Sequence, residues 1–314
     1  MYSCLIIGLG NIGMGYDFYS SSIQSHAKAI NFHKKFILSG AVEIDKKKRS
    51  LFEKKYQKPS FRNIGLALKL IKPEIIIISS PTTSHFRFLK KILSNHKPKA
   101  IVCEKPLGNS LKQSLKIIKI CKRNKIQIYV NYLRLSDPGV IKIKEKLSSG
   151  KIKTPISGTI YYSKGALNNA SHFLNTLEYW FGKVNKSQLI DRGIRLNKFD
   201  FNSSFIVCFK KANFIFIPTE DNKNYTNSIE IFANNGRLFY GNGGRYINWQ
   251  KIISNNYNLP KFHKKIYKQH SGKKRSQLHF INNLYYALKR KNCNICTGNQ
   301  AIKTLKTIYS LYDK

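Results

Sequence analysis

One stretch constrains this chain more than any other: Gly8-Leu9-Gly10-Asn11-Ile12-Gly13, a complete G-x-G-x-x-G. It directly follows a short apolar run, Cys4 to Gly8, that reads as a strand. In such a loop the first glycine permits a tight turn. The second lets backbone approach a pyrophosphate, and the third lets a helix pack closely on the strand. Backbone N–H groups and the helix dipole then hold the phosphates. Packing glycines can give the same letters by chance, so the surrounding segments decide.

Those segments alternate. Strand-like runs recur at Ile37–Ile44, Glu74–Ser80, Lys99–Cys103 and Ile126–Asn131. Helix-length segments lie between them at Ser25–Lys35, Arg49–Tyr56, Asn63–Lys72, His85–Ser94 and Ser110–Asn124. This order predicts βαβ units, hence a doubly wound parallel sheet with helices on both faces. The second half reads differently. After a helical stretch ending near Gly150 come strand-like runs at Ile156–Tyr162, Phe205–Phe209, Phe214–Pro218, Ser228–Ala233 and Arg237–Tyr240. Helices are predicted at Ala170–Phe181, His279–Lys289 and Gln300–Leu311. The fold class is therefore α/β: a Rossmann domain over residues 1–132, then an α+β domain with a largely antiparallel open sheet over 133–314.

An acid at the end of the second strand supports dinucleotide binding. Glu43 can accept both adenosine ribose hydroxyls and repels a 2′-phosphate, which favours NAD. It lies further from the glycines than the usual roughly 20 residues, because Tyr16–Gln24 reads as an insertion in the first crossover. The run Lys46-Lys47-Lys48-Arg49 follows at once and keeps NADP as the alternative; its plainer reading is a solvated helix start.

The charge invites another reading. Lys and Arg number 56 against 15 Asp and Glu, a formal net charge of +41. That balance suits a nucleic-acid or anionic-membrane partner. However, the excess is nearly all Lys, spread end to end, among the A/T-codon residues Ile, Asn, Tyr and Phe, as a genome-wide base bias would produce. No nucleic-acid partner is therefore expected. No apolar run reaches the roughly 18–20 residues of a membrane span, no secretory signal is visible, and six Cys are too few for a disulfide scaffold. These features point to the cytoplasm. Cys293-x-x-Cys296 lacks a second ligand pair for zinc and reads as reduced thiols in a loop. Lys264–Arg275 reads as a basic surface loop.

Three further stretches resemble the Gfo/Idh/MocA oxidoreductase family. Ser79-Ser80-Pro81-Thr82-Thr83-Ser84-His85 stands where the family has a turn beside the nicotinamide ribose. Cys103-Glu104-Lys105-Pro106-Leu107 resembles its E-K-P motif. Gly165–Asn175 resembles the segment that carries a catalytic His, and Asn131-Tyr132-Leu133-Arg134 resembles its domain joint. The resemblance is strong to about residue 182 and only architectural beyond. It implies an NAD(P)-dependent oxidoreductase with a homo-oligomeric second domain.

By that resemblance, Gly8, Gly10, Asn11, Ile12, Gly13, Glu43, Ser80, Pro81, Thr82, His85, Glu104, Lys105 and Asn131 contact the cofactor. Lys105, Arg134, Asn168 and His172 face the substrate, with Lys105 and His172 catalytic. The residue chemistry agrees. A Lys at the carboxyl end of a parallel strand can hydrogen-bond a reacting oxygen, and desolvation with a nearby oxidised nicotinamide should depress its pKa. An imidazole titrates near neutrality and can carry the proton. Which of the two takes the proton stays open, with His172 preferred. Asn168 stands where many relatives carry Asp. It resembles the subset acting on sugars attached to nucleotides, which makes a sugar or nucleotide sugar the expected substrate and surface-polysaccharide sugar synthesis the expected role.

Overall fold

A computed structural model describes residues 1–219, 227–254 and 260–312. The chain forms two compact units, Met1–Ser136 with Lys274–Ile302, and Asp137–Lys273 with Lys303–Lys314.

In the first unit, β1 (Tyr2–Ile7), α1 (His26–Phe32), β2 (Phe36–Val42), α2 (Lys46–Tyr56), β3 (Ser60–Phe61), α3 (Ile64–Ile71), β4 (Ile75–Ile78), α4 (Thr82–Asn95), β5 (Ala100–Cys103), α5 (Leu111–Arg123) and β6 (Gln127–Val130) follow one another. The strands form a six-stranded sheet in the order β3-β2-β1-β4-β5-β6, parallel throughout. β4 reads Ile-Ile-Ile-Ile and β5 Ala-Ile-Val-Cys, with every residue buried. Strands apolar on both faces belong in a parallel sheet covered on both sides. Helix starts are fixed by side chains that accept orphan N–H groups: Asp45 for α2, Asn63 for α3 and Ser110 for α5.

The second unit holds α6 (Pro138–Ser148), β7 (Ile156–Tyr162), α7 (Ser171–Phe181) and β8 to β14: Lys186–Asn197, Asp200–Phe209, Ala212–Pro218, Ser228–Ala233, Gly236–Gly241, Tyr246–Ser254 and Pro260–Gln269. Its eight strands run β14-β13-β12-β11-β7-β10-β9-β8. Only β7 and β10 pair in parallel; the other pairs are antiparallel. Cross-strand register sorts the side chains cleanly. Phe205, Val207, Phe214, Phe216, Ile229, Ile231, Leu238 and Trp249 are buried on one face. α7 seats on that face: the Trp180 ring meets Tyr240, and Phe181 packs on Phe214. The other face presents Ile215, Phe232, Phe239 and Ile266 to solvent.

Both sheets and the α/β class match the sequence reading, while several details differ. A single break after residue 132 does not divide the chain. α8 (Ser276–Leu288) belongs to the first unit, where Phe280, Ile281 and Leu284 join Ala27 and Ile30 of α1 in one core. The Cys293–Cys296 stretch also stays there. Val130 N–H donates to the Cys296 carbonyl at 2.9 Å, so this segment covers the exposed edge of β6. α9 (Gly298–Ser310) then runs on into the second unit. Lys264–Gln269 is not a loop but part of β14. Its lysines obscure a strand because β14 is an edge strand, where charge faces water and discourages further pairing. Tyr246–Tyr267 falls in β13 and β14 apart from residues 255–259, which lie outside the described residues.

Candidate active site

The glycine loop shows three separate reasons for glycine. Gly8 has φ +99°, and a Cβ there would sit 2.7 Å from the Ser80 nitrogen. A Cβ on Gly13 would lie 2.2 Å from the Gly8 carbonyl oxygen. A Cβ on Gly10 would meet nothing within 4 Å. Gly10 instead borders a cavity of about 870 Å³, shared with Gly8, Glu43, Ser80, Pro81 and Arg87 among others. A loop glycine required by no protein neighbour, opening into a cavity of ligand size, is what a dinucleotide pyrophosphate needs.

The insertion is visible in the backbone. His26 N–H donates to the Ile12 carbonyl and Ala27 N–H to the Gly13 carbonyl, both at 2.9 Å. The helical ladder begun after the glycines thus resumes in α1, and the intervening residues loop out. Asp17 ties that loop down, its buried carboxylate accepting from Gln24 N–H, Ser25 N–H and Ser25 O–H. This detour accounts for the long spacing from the glycines to Glu43.

Glu43 accepts from Leu9 N–H at 2.7 Å on one oxygen, and from Ile44 and Asp45 N–H at 2.8 and 3.1 Å on the other. It knits the glycine loop to the end of β2 while lining the cavity. Of the basic run, Arg49 turns back onto the Glu43 and Ile44 carbonyls at 2.9 Å each, and only Lys48 reaches the cavity lining. Ser79 donates to the Gly8 carbonyl at 2.8 Å, holding the turn after β4 against the glycine loop.

The structure thus brings Gly8, Gly10, Glu43, Ser80 and Pro81 to one cavity. Asn11, Ile12, Gly13, Thr82, His85, Glu104, Lys105 and Asn131 do not line it. His85 is buried. One ring nitrogen lies 2.8 Å from the Ser80 carbonyl and the other 3.4 Å from the Leu107 carbonyl, so it joins two loops. Burial, the largest influence on it, pulls its pKa down. Thr83 and Ser84, from the turn quoted above, line the cavity together with Arg87 and Lys91 of α4, which no motif singled out.

Glu104 follows β5, and the Lys105–Pro106 bond is cis. Its carboxylate takes Nε2 of His26 at 2.8 Å and Nδ2 of Asn131 at 2.6 Å. Gln277 of α8 closes the group, at 2.9 Å from His26 Nδ1 and 3.2 Å from Asn131 Nδ2. Burial pushes the Glu104 carboxyl up, yet His26, Asn131 and the Lys105 charge outweigh it and hold it below the usual carboxylate range. Sequence reasoning missed His26 and Gln277. No local pattern could connect Gln277 with partners so distant in the chain. Arg134 lies in a short 3₁₀ turn, Leu133–Ser136, that closes the first unit's N-terminal segment.

In the second unit, a π-helical turn, Ala166–Ala170, leads into α7 and brings Asn168 and His172 together in one segment. Buried Asp200, the second missed residue group, anchors it. Its carboxylate accepts from Leu167 N–H and Asn168 N–H, both at 2.9 Å. Gly165 has φ +95°, and a Cβ there would lie 2.1 Å from Asp200 Oδ2. Asn168 Nδ2 donates to the Lys164 carbonyl at 3.0 Å. Among the described residues, no group of three His, Cys, Asp or Glu side chains could hold a metal.

A parallel sheet with a glycine loop opening into a nucleotide-sized cavity defines an NAD-binding Rossmann domain. Residues 2–132 match the family model described as oxidoreductase family, NAD-binding Rossmann fold. The likeness over these residues is to the Gfo/Idh/MocA oxidoreductases, whose family model describes an NAD-binding domain. An inositol 2-dehydrogenase of Rubrobacter xylanophilus is 30% identical over 84 residues, which are 26% of this chain and 24% of that protein. The chain thus spans about a quarter of the length of the curated relatives it matches. Solved structures extend the likeness in fold. An oxidoreductase from Agrobacterium radiobacter, in complex with NAD+, L-tartaric acid and magnesium, superposes with TM-score 0.77 at 15% identity, covering 99% of this chain and 95% of that one. The WlbA dehydrogenase from Bordetella pertussis, in complex with NADH and UDP-GlcNAcA, superposes with TM-score 0.76 at 12% identity, covering 99% and 94%.

Proposed function

We propose that this protein is an NAD-dependent dehydrogenase or reductase acting at a hydroxyl or keto carbon of a sugar, with a nucleotide-linked sugar as the preferred class. The observation that carries the reading is the cavity of about 870 Å³ bordered by Gly10 and Glu43, which has room for a dinucleotide. Glu43 keeps a carboxylate at the cavity wall where ribose hydroxyls are read. When bound there, NAD supplies the hydride acceptor or donor.

The chain's own residues would do the rest. Lys105 polarises the reacting oxygen, and His172 takes the hydroxyl proton in oxidation and returns it in reduction. Asn168 offers an amide that both donates to and accepts from a sugar hydroxyl, and Arg134 contributes positive charge toward an anionic substrate. The UDP-sugar acid of the WlbA complex supports the substrate class. The cellular role that follows is synthesis of an uncommon sugar for surface glycan, in the cytoplasm. Among the described residues no helix is long and apolar enough to cross a membrane.

The exposed face of the second sheet, with Ile215, Phe232, Phe239 and Ile266, supports a homo-oligomer built by pairing that face with a second copy. Incubation with NAD and a panel of nucleotide sugars tests the activity. With the substrate so found, Lys105→Ala and His172→Ala should each cut kcat on the order of 10²–10⁴-fold. Unchanged turnover in both variants would refute the assigned roles.

A further inference from the structure

The three buried side chains grouped around Glu104, namely His26, Asn131 and Gln277, have a fixed hydrogen-bond polarity. Glu104 presents oxygen acceptors, so Asn131 must turn Nδ2 towards it. Nδ2 also faces Gln277 Oε1 at 3.2 Å, and Gln277 Nε2 faces Asn131 Oδ1 at 3.4 Å. The two amides therefore pair head to tail. That orientation places the Gln277 NH₂ against His26 Nδ1 at 2.9 Å, so Nδ1 accepts. The proton of the neutral ring then sits on Nε2, which donates to Glu104 at 2.8 Å. Every partner donates towards the carboxylate. Reversing any one of them would set two donors or two acceptors face to face in a buried site and leave those groups unpaired.

We propose that His26, Asn131 and Gln277 are positioning residues that hold Glu104 as a fixed carboxylate against the Lys105 loop, so that Lys105 meets the substrate oxygen as an ammonium donor and proton uptake is left to His172. The substrate-facing half of this rests on the function proposed above; the charge state of Lys105 does not. The charged and titratable groups facing Glu104 are His26 from α1, Lys105 beside it, the Cys103 thiol at the end of β5 and, through a longer-range field, His85 from α4. The Lys105 charge is one of the influences that keep the carboxylate ionised. The carboxylate favours that charge, opposing the depression of the Lys105 pKa that the sequence alone suggests. Lys105 N–H also lies 3.3 Å from Glu104 Oε2, so the same oxygen pair fixes the loop's backbone.

The test is the pH dependence of Lys105 acetylation by acetic anhydride in the full-length protein, read by peptide mass spectrometry. Glu104→Gln should lower the labelling midpoint by about one unit or more, the effect of removing an adjacent opposite charge. His26→Leu should lower it as well, and His26→Gln, which keeps an N–H donor, should restore most of the wild-type midpoint. A wild-type midpoint in folded Glu104→Gln protein would overturn the proposal. Should His26→Leu fail to fold, Glu104→Gln and His26→Gln still decide it. A shifted midpoint in a protein that turns over no sugar would refute the oxidoreductase reading and leave the positioning set standing.

Discussion

At the residue scale, the nucleotide site separates glycines that the structure needs from one that the ligand needs. Gly8→Ala forces a Cβ against Ser80 backbone at a positive φ, a strain of about 1–3 kcal/mol. It should lower the thermal midpoint and weaken NADH binding together. Gly10→Ala meets no protein atom. It should leave the midpoint within about 0.5 kcal/mol of wild type while weakening NADH at least tenfold, because the new methyl enters the pyrophosphate's space. Calorimetry and NADH fluorescence titration on the two variants check this. Equal effects on both quantities would show that Gly10 is a packing residue. These glycines and Glu43 were legible because each sits at a strand end, where the motif fixes position. His26, Asp200 and Gln277 were not, since their partners come together only through the tertiary fold.

At the element scale, α7 carries two carboxyl dependencies. The π-helical turn before it has no side-chain cap of its own and relies on Asp200, from the start of β9. Asp200→Ala should therefore cost about 2–4 kcal/mol, leaving the N–H groups of buried Leu167 and of Asn168 without their acceptor, with a matching loss of any activity that needs His172. Urea titration of the variant checks the stability; a change under about 0.5 kcal/mol would contradict the anchoring role. Glu178, further along α7, is half-buried beside Thr304 of α9, and desolvation pushes its carboxyl up to about 7. The folded state keeps a proton that the unfolded chain releases, so stability should fall as pH rises from about 4.5 to about 7 and then level off. Glu178→Gln removes that penalty. It should gain up to about 3 kcal/mol over wild type above pH 7, from roughly 2.5 units at 1.36 kcal/mol each, and nothing near pH 4. A pH series of melts on both proteins tests it; a constant difference would place the cause elsewhere. Strand and helix identity was mostly legible from periodicity. β8, β13 and β14 were not; β8 and β14 are edge strands whose many charged and amide side chains break the apolar alternation that marks a buried strand.

At the scale of the whole molecule, the net charge of +41 gains a structural counterpart in the few acids. Asp17, Glu43, Asp45, Asp137 and Asp200 each accept backbone N–H groups at a loop or helix start, and Glu104 anchors the Lys105 loop. At least these six of the fifteen acids serve architecture, and all fifteen together offset only a fraction of the 56 basic residues. Self-repulsion among these should destabilise the protein at low ionic strength. Raising NaCl from about 10 to 150 mM, where the Debye length falls from about 30 to 8 Å, should raise the melting temperature by a few degrees; no change would mean the lysines are already screened by arrangement. Light scattering should find at least a dimer, and substitution of Phe232 and Phe239 by Asp should yield monomers if the exposed sheet face is the contact. The central claim is hydride transfer to NAD, and isotope tracing tests it most directly. Nucleotide sugars deuterated at every ring carbon are supplied with NAD, and the cofactor is weighed by mass spectrometry. The account predicts NADH one mass unit heavier than unlabelled NADH. Unlabelled NADH, or none formed with any sugar despite saturable NAD binding, would contradict it.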